Sequence, residues 1–95
     1  MSDKNAYQQK LEAQLKEWQA EIDKLRAKAD KVSAEARIKY DEQVEELVAY
    51  QKKGQKQLAE LQHANESAWA DMKAGMEKAW DDMAKSWKNA MSRYS

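Results

Sequence analysis

The sequence predicts an all-α protein of long amphipathic helices that assemble as a coiled coil or helical bundle. Three observations carry this expectation. Strong helix formers dominate, and the 95 residues include no Pro and only two Gly, so the usual helix breakers are nearly missing. Apolar side chains recur at heptad spacing early in the chain and at eleven-residue spacing later, and both periods keep them on one side of an α-helix. Charged residues make up 36% of the chain, which suits solvated helix faces, while the regular periodicity and eight aromatic residues argue against disorder. The whole of 1–95 reads as a single helical coiled-coil domain.

The first element is a heptad segment over residues 6–36. Leu15, Ile22, Ala29 and Ala36 occupy a positions, and Leu11, Trp18, Leu25 and Val32 occupy d positions. The next d position is Lys39, so the register breaks there. Tyr40, Val44 and Leu47 resume the stripe after two four-residue steps, which reads as a stutter near 37–44 inside a continuous helix.

The second element is a hendecad segment over residues 46–95. Ala68-Trp69-Ala70-Asp71-Met72 returns as Ala79-Trp80-Asp81-Asp82-Met83, and the same phase includes Leu47/Tyr50, Leu58/Leu61 and Met91/Tyr94. Eleven residues make almost three whole turns, so the stripe stays straight. Two places invite a turn. Gln51-Lys52-Lys53-Gly54 resembles a helix C-terminus, but Gln55-Lys56 would then open the next helix without a cap. His63-Ala64-Asn65-Glu66-Ser67 is preferred, with Asn65 or Ser67 as N-cap and Glu66 near the new N-terminus. The expectation is therefore a helical hairpin with its break near 62–67, or one continuous helix of about 140 Å. Neither topology lets one chain bury its stripe completely. Self-association follows, with a protein groove or a peripheral lipid surface as further partners.

With Trp69 at zero on a helical wheel, Met72, Met76, Trp80, Met83, Trp87, Met91 and Tyr94 lie between about −60° and +40°. Asp71, Lys78, Asp81, Asp82, Lys85 and Asn89 take the opposite side. The plain reading of this face is the core of a bundle. Its wealth of Trp and Met also suits an adaptable surface, such as a lipid headgroup region or a variable groove. The mixed charges opposite argue against lipid, because membrane-surface helices favour Lys and Arg there. The interaction stripe thus comprises Leu11, Leu15, Trp18, Ile22, Leu25, Val32, Leu47, Leu58, Leu61 and the 69–94 set.

Charge excludes one class of partner. Seventeen basic residues balance seventeen acidic ones, so the positive face that nucleic-acid binding requires is missing. The longest apolar run is Leu47-Val48-Ala49-Tyr50, far short of the roughly 18 residues of a transmembrane segment. No apolar leader follows Met1, and Cys is absent; a cytoplasmic location is the default.

Candidate chemistry is weak. Glu60 and His63 have the Glu-x-x-His spacing of di-iron bundles, yet His63 points about 170° away from Leu58 and Leu61 on the wheel. Asp41, Glu42, Glu45 and Glu46 form an acidic cluster best read as a solvated face. Ser67, Ser86 and Ser92 have no His–acid partners. The chain is not expected to be an enzyme or to hold a metal or cofactor.

Residues Ala6 through Trp18, the Glu21-Ile22-Asp23-Lys24-Leu25 continuation, and Ser67-Ala68-Trp69 through Gly75 to Trp80 resemble a family of small bacterial coiled-coil proteins linked to stress responses. The resemblance implies a soluble, all-helical, stress-associated protein and brings no catalytic residue with it. Relatives with Gly near position 65 imply a sharp turn where this chain has Asn65. The eleven-residue period by itself is similar to those of apolipoproteins and desiccation-protective proteins. Together these readings point to a non-enzymatic helical interaction or scaffold protein, with peripheral membrane- or lipid-surface binding as the alternative.

Overall fold

The heptad seam of the first segment holds only as far as Ala29. In a computed structural model that describes residues 3–93, helix α1 spans Asp3–Ala29, α2 spans Ala34–His63 and α3 spans Glu66–Arg93. The all-α class and the long amphipathic helices are as expected. The continuous helix is not found, and the hairpin gains a third arm.

The unexpected break, at 30–33, has ordinary helix-end chemistry. Arg26 and Lys28 lie in the last turn of α1, where cations meet the negative end of the dipole. The Asp30 and Lys31 amides close the turn on the Arg26 and Lys28 carbonyls at 3.3 and 3.1 Å. Ser33 is extended and caps α2, its Oγ accepting from the Ala36 amide at 3.4 Å. Val32 therefore leaves the stripe: it lies in the turn and is 38% exposed. The stutter near 37–44 sits just inside α2, beyond a real chain reversal.

The second break falls where expected and is tighter. Only Ala64 and Asn65 are non-helical. Ala64 is extended, with φ −79° and ψ 140°, and its amide bonds the Leu61 carbonyl at 3.2 Å. Asn65 caps α3, its Oδ1 accepting from the Ala68 amide at 2.7 Å. Among the described residues no residue has positive φ, so this turn uses an extended Ala and an Asn cap, without the left-handed glycine conformation.

The helices run up, down and up in a bundle of 52 × 19 × 16 Å. Neighbouring helices α1 and α2, and α2 and α3, pack directly; α1 and α3 meet through large side chains, Tyr7 against Trp69 and Trp18 against Trp80 and Trp87. Each helix contributes one seam. Leu11, Leu15, Trp18, Ile22, Leu25 and Ala29 are buried on α1. On α2 the buried set is Gln43, Val44, Leu47, Gln51, Gly54 and Leu61. On α3 it is Trp69, Met76, Trp80, Met83, Trp87 and Ala90. A third helix thus supplies what neither anticipated topology had, a way for one chain to cover most of its own stripe.

Gly54 is the correction with the largest packing consequence. It lies in mid-helix, not at a helix end, and a Cβ there would come 2.8 Å from Leu15 Cδ2 and 3.1 Å from Trp80 Cζ3. The missing side chain lets α2 approach α1 and the Trp80 ring together. Gly75 has nothing within 4 Å of such a Cβ. Gly75→Ala is expected to stabilise the fold by up to about 1 kcal/mol through helix propensity. At Gly54 the same gain is opposed by overpacking of about 1–3 kcal/mol, so Gly54→Ala lowers stability. Urea titrations of the two variants check the opposite signs.

Candidate functional site

Every described residue of the anticipated stripe except Val32 takes part in one core. Leu11, Leu15, Trp18, Ile22, Leu25, Leu47, Leu61, Trp69, Met76, Trp80, Met83 and Trp87 are buried in it, and Leu58, Met72 and Met91 are half-buried against it. Tyr94 lies outside the described residues. The stripe is therefore inward-facing in the folded chain, as the plain reading of a bundle core has it.

The densest part is aromatic. The Trp18 ring stacks on Trp87 at 4.5 Å between centroids and on Trp80 at 5.2 Å, with interplanar angles of 7° and 2°. Trp80 and Trp87 are two turns apart on α3, so α1 provides one indole and α3 provides two. Offset stacking of this kind adds roughly 0.5–1.5 kcal/mol per pair beyond area burial. Tyr7 tilts against Trp69 at 5.2 Å and closes the opposite end of the seam.

The core carries polar groups without partners. Among the described residues Trp80 Nε1, Tyr7 Oη and Gln57 Oε1 are buried and make no hydrogen bond. Burial, reinforced by the nearby Glu77 and Asp81 carboxylates, pushes the Tyr7 phenol up to about 12. Other polar side chains are better placed: Gln51 donates to Gln19 Oε1 at 2.6 Å, and Gln43 donates to Met91 Sδ at 3.9 Å. The ends of α3 are tied by Lys73 to Asp3 and by Arg93 to Glu46. The hydrogen bond that Lys73 donates to the Asp3 carboxylate raises the Lys73 pKa.

The residues considered for chemistry do not converge. Glu60 and His63 are exposed, His63 as the wheel indicated, and among the described residues no group of three or more His, Cys, Asp or Glu could hold a metal. Asp41, Glu42 and Glu45 are exposed; Glu46 is half-buried and paired with Arg93. Ser86 bonds its own helix, donating to the Asp82 carbonyl at 3.0 Å. The concave surfaces are open grooves between helices, such as the one lined by Tyr50, Lys53, Lys56, Gln57, Met83 and Ser86. Among the described residues no helix is long and apolar enough to cross a membrane.

Sequence reasoning overlooked Gln43, Gln51, Gly54 and Ala90, all buried in the seam. A signal was available for the α2 residues: Val44, Leu47, Gln51, Gly54, Leu58 and Leu61 alternate steps of three and four, an uninterrupted heptad seam. A polar side chain at Gln51 and a glycine at Gly54 hid it. Tyr7 and Tyr40 also pack against the core. No family model, curated protein or solved structure matches the chain.

Two predictions follow from this arrangement. Trp18→Ala removes the shared ring of the stack and should cost about 3–5 kcal/mol, whereas Val32→Asp in the exposed turn should change stability by less than about 0.5 kcal/mol; thermal melts by circular dichroism compare them. Tyr7→Phe deletes a buried hydroxyl that has no partner, so it should stabilise by about 1 kcal/mol at neutral pH. Because the unfolded phenol ionises near its ordinary value of 10.0 while the folded one holds its proton to about 12, the native protein loses stability as pH rises through that window. Melts between pH 9 and 12 should show a shallower decline for Tyr7→Phe.

Proposed function

We propose that the chain is a non-enzymatic helical interaction or scaffold protein that associates with copies of itself, in the soluble, stress-associated setting that the family resemblance implies and with the cytoplasm as its default location. The observation that carries this reading is the α3 face. Trp69, Met76, Trp80, Met83 and Trp87 are buried on it, a concentration of large, adaptable side chains on one helix face. What covers this face decides whether the chain is a closed monomer or a partner in an assembly. The dispersal of titratable groups over solvated faces supports a binding role over catalysis.

Peripheral lipid binding is the second reading. Trp80 Nε1 and Tyr7 Oη are buried without partners, and both groups find acceptors readily at a headgroup boundary. Against it stands the exposed surface of α3, which mixes Asp71, Asp81 and Asp82 with Lys78 and Lys85 and lacks the basic character that draws helices to anionic lipid.

Sedimentation velocity over a range of protein concentrations, with and without vesicles of phosphatidylcholine and phosphatidylglycerol, separates the readings. All four Trp residues are buried in the folded chain, so their emission is blue-shifted from the start and only its response to lipid discriminates. The expected result is a mass that rises with concentration and an emission spectrum that vesicles leave unchanged. A monomer at every concentration that co-sediments with vesicles and changes its emission overturns self-association in favour of lipid binding.

A further inference from the structure

The junction between α2 and α3 is held closed by very little. It consists of Ala64 and Asn65, with neither Gly nor Pro from Gln62 to Ser67. Ala64 has φ −79°, already near the helical value, and departs from helix through ψ alone at 140°. Alanine is also the best helix former. No residue here has a conformation that a helix could not absorb. The break is maintained locally by two bonds, Asn65 Oδ1 accepting from the Ala68 amide and the Ala64 amide donating to the Leu61 carbonyl, and otherwise by the packing of α3 on its own α1 and α2.

The apolar pattern is indifferent to the break. Leu58/Leu61 and Trp69/Met72 are eleven residues apart, so a helix continued through Ala64 and Asn65 would rotate the stripe by only about 20°. Residues 34–93 would then form one helix of about 90 Å with an unbroken apolar face. The α1–α2 turn differs: four residues, 30–33, are non-helical there, and Arg37 pairs across it with Asp30 at 3.5 Å.

We propose that the α2–α3 junction straightens and that two chains exchange their third helices, forming a swapped dimer. This deepens the self-association reading and rests on it. The occupant of the α1–α2 groove is α3 in either state, its own or that of a second copy. Every contact α3 makes in the closed chain is remade between chains: the Trp18 stack with Trp80 and Trp87, Gln43 with Met91, Arg93 with Glu46 and Lys73 with Asp3. Exchange sacrifices no core packing. It gives up two Asn65 caps and the freedom of two separate chains, and it gains continuous helical hydrogen bonding through both junctions. A short hinge between intact packing units is the usual route to such dimers.

The native chain has no Cys, so Asp3→Cys and Lys73→Cys together place one reactive pair where α1 meets α3. Size-exclusion chromatography separates monomer from dimer, and each fraction is treated with a flexible bismaleimide. On a denaturing gel the dimer fraction should run as a covalent dimer and the monomer fraction as a linked monomer. In the otherwise native chain, Asn65→Ala removes the cap from the closed form alone and should raise the association constant about tenfold or more. Glu66→Pro should keep the chain monomeric, because Pro is accepted at the first position of α3 and rejected inside a continuous helix. A dimer whose crosslinks stay within single chains overturns the exchange and leaves self-association standing. A monomer at all concentrations, with Asn65→Ala no different, overturns both.

Discussion

The bundle depends on a size match at its waist. Three indoles, from Trp18, Trp80 and Trp87, fill the space between α1 and α3. Groups of that bulk would normally hold a third helix away. Gly54 removes the conflict, since its bare backbone lies where any side chain would meet Leu15 and Trp80. The cost is about 1 kcal/mol of helix propensity relative to an alanine in mid-helix. The return is direct packing of α2 on both neighbours, which lets leucines such as Leu11, Leu47 and Leu61 become completely buried. Overpacking at one point in a close-packed interior would propagate to all of these contacts.

The same match constrains how the molecule can interact. A stripe used as the core is not free to serve as a binding face, so any partner must displace a helix, replace one, or use the remaining mixed-charge surface. Displacement would uncover four Trp rings at a cost comparable to the whole stability of a small domain. Replacement by an identical helix costs far less, because the contacts are chemically the same. That asymmetry ties the proposed self-association to the short α2–α3 junction.

Residue by residue, the sequence was most informative where side-chain size and period agreed. Leu11, Leu15, Trp18, Ile22 and Leu25 form the α1 seam that heptad spacing indicates, and the 69–91 stripe faces inward as its wheel position requires. The break at Ala64–Asn65 followed from an available cap. The break at 30–33 escaped because Ala29, Val32 and Ala36 continue the heptad arithmetic across a turn; spacing alone cannot tell a helix from two helices that happen to share a phase. Ser33 and the basic last turn of α1 carried the opposing signal. Gln51 and Gly54 escaped for a different reason: a polar amide and a glycine look like turn residues until the partner that fills the space beside them is known.

The sequence by itself determined the all-helical class and the inward faces of α1 and α3, because propensity and periodicity are local properties of the chain. The balance of seventeen basic against seventeen acidic residues is likewise read directly from composition. Only the tertiary structure decided that three helices close on one another within a single chain, that Val32 is surface and that Gly54 is core. Those outcomes depend on which side chains meet across distances of 32 to 70 residues, as Gln19 with Gln51 and Asp3 with Lys73 show. No local pattern encodes such meetings; shape complementarity between an indole stack and a missing side chain does.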